Sequence, residues 1–228
     1  GLYDRNYMGN LHASAQSAVA DTALVKFVKT TYIFFAASLF FAFVGAVIGF
    51  MNIQFVFEYR MPIFIAEIAA LFGLMFSRSK PGLNIAMLFI FTTLTGLAIT
   101  PLMAMVAAKA GVGVVVMAFA MTTIVFGLMS IFGLKTRKDL ANMGKMLFIA
   151  LIVVFVFSLV NLFLGSSMFQ VIISSAAVIL FSVYVAYDTQ NIVRGLYSSP
   201  VDAAISLYLD FYNIFVHLLS LIGLANRD

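Results

Sequence analysis

Of the 228 residues, 64% are hydrophobic and 10% charged, with a mean hydropathy of +1.11. A soluble domain is about a quarter charged and half apolar, and has too little polar surface to cover a chain of this composition, so a water-soluble globule is excluded. The formal charge of +4 is spread along the chain with basic residues at the ends of apolar runs, a pattern of membrane orientation that excludes nucleic acid as a partner; the absence of cysteine excludes disulfides, thiolate nucleophiles and cysteine metal sites.

Residues 1–25 read as a polar amino-terminal tail without a short basic leader and cleavage site, so the first span is expected to be its own insertion signal. Residues 26–228 read as one all-α transmembrane domain. At about 20 residues per crossing plus a connection, the length allows roughly seven helices and no second domain. The apolar runs cover 31–51, 61–76, 83–108, 111–134, 144–164, 169–187 and 203–224. The second run is short for a span, and Arg78 is expected to lengthen it by snorkelling. Pro101 is expected to kink or break the third, because it lacks an N–H and crowds the preceding turn. The last run is the most polar.

With seven crossings and a cytoplasmic N-terminus, the inner side holds Arg5, Lys26, Lys29, Arg78, Lys80, Lys135, Arg137, Lys138, Lys145 and Arg194. Arg60, Lys109 and Arg227 lie outside. This is a strong positive-inside bias and points to a multi-pass protein of a bacterial inner membrane, surrounded by the lipid bilayer. Gly45 and Gly49 form G-x-x-x-G in the first span, and Ala66, Ala69, Ala70 and Gly73 give small-residue spacing in the second. Small residues are common in any helical bundle, so these are read as unspecific.

A carboxylate in hydrocarbon costs several kcal/mol unless protonated, paired or wet, so membrane acids are functional candidates by default. Three of the nine acids qualify: Glu67, Asp188 and Asp210. At 100° per residue, Asp202, Ser206, Asp210, Asn213, His217 and Ser220 fall within an arc of about 80° on the last helix. Such a stripe must face the bundle interior or water, which makes the last helix central. Ser206 and Asn213 are equally well read as hydrogen-bonded glue between helices. His217 is the ordinary hydrogen-bonded core histidine, and no metal site or cofactor is expected. Asp188 closes the sixth run, where an interfacial and a buried carboxylate are equally consistent with the sequence. Glu67 lies mid-span, with Arg78 three helical turns further on.

The run Ser206-Leu-Tyr-Leu-Asp210-Phe-Tyr-Asn213, with Tyr187-Asp188 before it, resembles the Bax inhibitor-1 family of membrane proteins. Thr95-Gly96-Leu-Ala-Ile-Thr100-Pro101 is similar to that family's Gly-to-Pro signature, and the Glu67 to Arg78 spacing to its bacterial members. The likeness runs from Lys26 to Leu224. It implies seven helices with the C-terminal one wrapped by the other six, and a pH-sensitive calcium leak in which Ca2+ is the permeant ion. It further implies that Asp188 and Asp210 form a hydrogen-bonded pair serving as pH sensor, that Arg78 bridges to it and helps hold the gate shut, and that Glu67 lines the pore. Ser206, Asn213 and His217, on the stripe, join Glu67 as expected pore-lining residues. Only Ala225 to Asp228 follow the last span, so functions of the long charged tail of animal members are not expected.

Two carboxyls in contact at low dielectric share a proton and resist ionising together, so they titrate as a coupled unit. The expectation is a non-enzymatic protein. A di-aspartyl intramembrane protease is the main alternative, since Tyr187-Asp188 resembles half of the presenilin-like pattern, but Asp210 stands in Leu-Tyr-Leu-Asp where that family carries Gly-x-Gly-Asp. A proton-coupled transporter would use the same three acids, and a scaffold that binds other membrane proteins is a further class.

Overall fold

The computed structural model describes residues 2–226, with side chains from residue 6 onward. The side chain of Arg5 and all of Arg227, both counted above for orientation, lie outside the described residues. Among these, the regular structure is helical throughout: α1 (Leu2–Met51), α2 (Ile53–Glu58), α3 (Arg60–Phe76), α4 (Leu83–Ala98), α5 (Thr100–Ala110), α6 (Val112–Lys135), α7 (Gly144–Leu164), α8 (Ser167–Val193) and α9 (Pro200–Ala225), with a short 3-10 turn at Leu140–Met143. Six stretches are long and apolar enough to cross a membrane, α4 and α5 together forming one of them. The seventh expected span corresponds to α3, whose 17 residues reach about 25 Å against a hydrocarbon core of about 30 Å.

The described part of the expected tail is a helix continuous with the first span. Residues 6–23 are exposed along it, and only from about Leu24 does α1 begin to be covered. Between α4 and α5 the helix breaks at Ile99, and Pro101 is the cause. Its missing N–H would leave the Leu97 carbonyl unbonded, and the Thr100 hydroxyl donates to that carbonyl at 2.8 Å instead. The expected break is therefore present, with its orphan acceptor satisfied.

The G-x-x-x-G of α1 is more than an unspecific pattern. A Cβ on Gly45 would overlap the Thr93 carbonyl, one on Gly49 would meet the Thr100 side chain at 2.6 Å, and one on Gly96 would overlap the Ala42 carbonyl. Small residues from both helices thus let α1 and α4 pack backbone to backbone.

The last helix is central. α9 packs against α1, α4, α5, α6 and α8, while α3 leans on α4 and α7 on α8. The expectation of six helices all wrapping α9 is corrected to this extent: α3 and α7 flank the bundle, their principal contacts being with α4 and α8. Two apolar clusters share α9 as their axis, one around Leu207 and Tyr208 and the other around Ile214 and Leu219.

Candidate functional site

The polar stripe of α9 meets α8 where Asp210 neighbours Asp188 and His217 neighbours Ser174, making a polar lane between these two helices. At its far end a cavity of about 150 Å³ is bordered by Lys109, Gln170, Ser220 and Gly223. The Asn161 amide donates to Gln170 at 3.2 Å, Gln170 donates to Ser174 at 3.0 Å, and Ser174 meets His217 Nδ1 at 3.3 Å. His217 is thus a hydrogen-bonded histidine inside the bundle. One turn further along, Asn213 donates to the Leu209 carbonyl at 2.8 Å within its own helix.

Beyond Asn213 stand Asp188 and Asp210, each only 4% exposed. Their carboxyls are electrostatic neighbours across the α8–α9 interface. The structure therefore brings together the two aspartates singled out from the sequence, and settles Asp188 as buried rather than interfacial. Asp210 Oδ2 is buried with no hydrogen-bond partner among the described residues. Two carboxyls placed together in a bundle interior are costly to hold ionised at once without water or cations.

A residue the sequence did not flag completes the group. The Tyr197 phenol, on the turn between α8 and α9, donates to Asp188 Oδ1 at 2.6 Å, and Ser206 lies beside the same phenol. Burial, with the Asp188 carboxyl next to it, pushes the Tyr197 phenol well above its ordinary range, so it remains a donor at every physiological pH. Gly195, at φ +66°, reverses the chain just before it, and no spacing rule would have pointed to Tyr197.

Arg78 is not placed as expected. It lies beyond the end of α3, so the helical register from Glu67 does not carry to it. Its Nε bonds Asp202 Oδ1 at 3.1 Å rather than Asp188. The cause is local: Ser199 caps α9 by accepting from the Asp202 N–H at 3.1 Å, which fixes Asp202 in the first turn where the helix dipole favours a carboxylate. Ser198 donates to the same carboxylate. Asp188, already held by Tyr197 and beside Asp210, lies deeper. The signal was available in Ser199-Pro200-Val201-Asp202, a helix-start pattern with Pro in the first turn.

Glu67 is half-buried on α3, within electrostatic reach of Tyr208 and Tyr212 and apart from the aspartate pair. Those tyrosines tie α9 to α4: Tyr208 shares a hydrogen bond with the Thr95 hydroxyl, and Tyr212 donates to the Thr95 carbonyl at 3.2 Å. At the end of the bundle that carries Arg78 and Tyr197, Arg194 pairs with Asp139 at 2.5 Å. Gln190 clasps the same loop, donating to the Lys138 carbonyl at 3.0 Å and accepting from Leu140 N at 2.8 Å. The described basic loop residues expected on the inner side, from Arg78 and Lys80 to Lys135–Lys138 and Arg194, thus collect at one end. No group of three or more His, Cys, Asp or Glu able to hold a metal occurs among the described residues.

The sequence profile described as "Inhibitor of apoptosis-promoting Bax1" matches residues 24–227. The chain belongs to this family. It is a multi-pass membrane protein with bacterial relatives of the same length. A Helicobacter pylori protein is 62% identical over 228 residues, covering 100% of this chain and 99% of its own. A Campylobacter jejuni protein is 43% identical over 99% of this chain and 98% of its own. The Escherichia coli protein named modulator of FtsH protease YccA is 30% identical over 97% of this chain and 100% of its own. The Bax inhibitor-1 resemblance seen in the Asp188 and Asp210 segments thus extends over nearly the whole chain.

Proposed function

We propose that the chain is a pH-sensitive calcium leak of a bacterial inner membrane, with Asp188 and Asp210 as its proton sensor and its N-terminus cytoplasmic. The observation that supports this most directly is the buried carboxyl pair placed across the α8–α9 interface in a polar lane. Ionised Asp188 holds the α8–α9 turn through a charge-assisted bond from Tyr197. Protonation weakens that bond and loosens the turn, so acidification shifts a closed-to-open balance within reach of one or two protonations. Calcium, a hard ion, is drawn by the carboxyl and carbonyl oxygens of the lane, and weak binding is what conduction requires. Glu67, Ser206, Asn213 and His217 are the further residues assigned to the path, and Arg78 acts on the gate through Asp202.

The test is flux of calcium, sodium and potassium into liposomes carrying the purified protein, measured across pH. Calcium flux that rises on acidification supports the reading. Flux equal to that of empty liposomes at every pH refutes it. Uptake against a gradient would favour a proton-coupled transporter, and cleavage of a membrane peptide abolished by Asp210→Ala would favour the aspartyl protease over a non-enzymatic protein. Labelling engineered cysteines at Ser17 and Asn226 with an impermeant reagent tests orientation: a site at Ser17 reached only from the periplasmic side overturns the cytoplasmic N-terminus.

The relative named as a modulator of FtsH protease favours a second reading, in which the chain acts on a membrane-bound protease. Degradation of a membrane substrate by a reconstituted FtsH-type protease, unchanged when this chain is added, would remove it.

A further inference from the structure

Off the polar lane, a cavity of about 460 Å³ lies between α1, the α4–α5 break, α6 and α9. One side is α1 from Leu39 to Phe50, the other α6 near Val116 and Phe119, and the floor is α9 from Tyr208 to Phe215. α1 and α6 meet where Phe35 stacks on Phe126 with ring centroids 5.1 Å apart; nearer the α1 C-terminus the cavity fills the space between them. Its lining side chains are apolar except for two tyrosines, and both tyrosine hydroxyls are engaged with Thr95. Water would find almost no partners there.

The rim shows what fills it. Phe43, Val47 and Phe50 of α1 and Val116 and Phe119 of α6 are all exposed, on helices that cross the membrane, so the opening faces hydrocarbon and not water. From Leu39 to Phe50 the rise is about 17 Å, close to half of a ~30 Å hydrocarbon core. Phe50 sits at the end of the first apolar run, so the cavity extends from the bilayer surface to its midplane. Its volume equals roughly fifteen units of the ~30 Å³ occupied by one water, and a methylene is of similar size. Length, volume, dryness and lateral access all match one hydrocarbon chain from one leaflet.

We propose that this cavity binds one acyl chain of a membrane phospholipid, drawn from the leaflet at the C-terminal end of α1. The head group stays at the interface beside Phe50, and the chain end rests on Gly96 and Ile99 at the α4–α5 break. The site is independent of the leak reading.

The test uses the full chain reconstituted in palmitoyl-oleoyl phosphatidylcholine, extracted into mild detergent and weighed intact by native mass spectrometry. The expected result is one phospholipid retained per chain after annular lipid is stripped. Ala46→Phe, which fills the cavity, is expected to lower retention at least tenfold, whereas Ile172→Phe on the lipid-facing side of α8 leaves it unchanged. In parallel, the unmutated protein is photolabelled with a phospholipid carrying a diazirine at the chain end. Label on buried Phe211 or Phe215 supports the site even if Ala46→Phe fails to fold, because annular lipid cannot reach those residues. Label confined to exposed faces of α1 and α6 overturns the proposal. So does equal retention by wild type and a folded Ala46→Phe, or a retained mass that is detergent or free fatty acid only.

Discussion

Tyr197 donates its phenol proton to Asp188 at 2.6 Å from the turn that joins α8 to α9. The donor lies outside the spanning helices and the acceptor inside, so the bond ties the movement of a turn to the charge of a buried carboxyl. A hydrogen bond to a charged group contributes about 1.5–3 kcal/mol, and about 1.4 kcal/mol is enough to displace a titration midpoint tenfold in proton concentration. Removing a donor to the charged form disfavours that form. Tyr197→Phe is therefore expected to raise resting flux at neutral pH and to move the midpoint of the remaining pH response upward by about one pH unit, with the protein still folded. An unchanged midpoint in liposomes would show that the phenol only packs.

Arg78 and Asp202 form the second contact that holds this end of the bundle, and the arginine is 59% exposed while the aspartate is 8% exposed. Solvent screening limits such a pair to about 1 kcal/mol or less, so the expected effect of Arg78→Ala is a rise of a few-fold in resting flux at neutral pH. Because its partner is Asp202, Asp202→Asn should reproduce that rise, the double mutant should add little, and the pH midpoint should stay put. A midpoint that moves with Arg78→Ala but not with Asp202→Asn would show that Arg78 acts on Asp188 during gating.

What was legible in the sequence follows from where each feature is encoded. Span positions are set by hydropathy, and the break at Ile99 by the missing N–H of Pro101, both properties of single residues or short windows. The polar stripe was legible because Ser206, Asp210, Asn213 and His217 recur at helical spacing, and the carboxyl pair through resemblance. The partner of Arg78 was legible only in half: Ser199-Pro200-Val201-Asp202 marks a helix start, but α3 ends before Arg78 and no period in the sequence joins the two segments. Tyr197 was invisible for a related reason: its position depends on the reversal at Gly195, not on any period. The helical course of α1 before Leu24 went unread because exposed polar residues carry no apolar period.

Gly45 tests whether the α1–α4 seam is as tight as it looks. Replacing a helical glycine by alanine normally favours the helix by up to about 1 kcal/mol, and Gly113, with nothing within 4 Å of a built Cβ, should show that gain. At Gly45 the added methyl would overlap the Thr93 carbonyl, so Gly45→Ala is expected to cost about 1–3 kcal/mol through overpacking. Thermal unfolding midpoints in detergent should therefore move in opposite directions for the two variants. A Gly45→Ala protein as stable as Gly113→Ala would mean that the helices part without cost.

The coupled pair makes the sharpest prediction. If Asp188 and Asp210 share a proton, Asp188→Asn and Asp210→Asn should each abolish most of the pH dependence of flux, and the double mutant should add little to either. Asparagine keeps size and hydrogen bonding but cannot ionise, so a changed response reports charge and not a cavity. Asp139 supplies the control. A hydrogen bond from Arg194, with one from the Ala141 N–H, holds its exposed carboxyl below the ordinary range. A depressed folded value means that the contribution of this pair is full above the unfolded value near ~4 and disappears only as pH falls below it. Asp139→Asn should therefore leave the flux response between pH ~6 and ~8 like that of the parent. Additive losses from Asp188→Asn and Asp210→Asn, or a double mutant that still responds to pH, would move the sensor to Glu67 or His217.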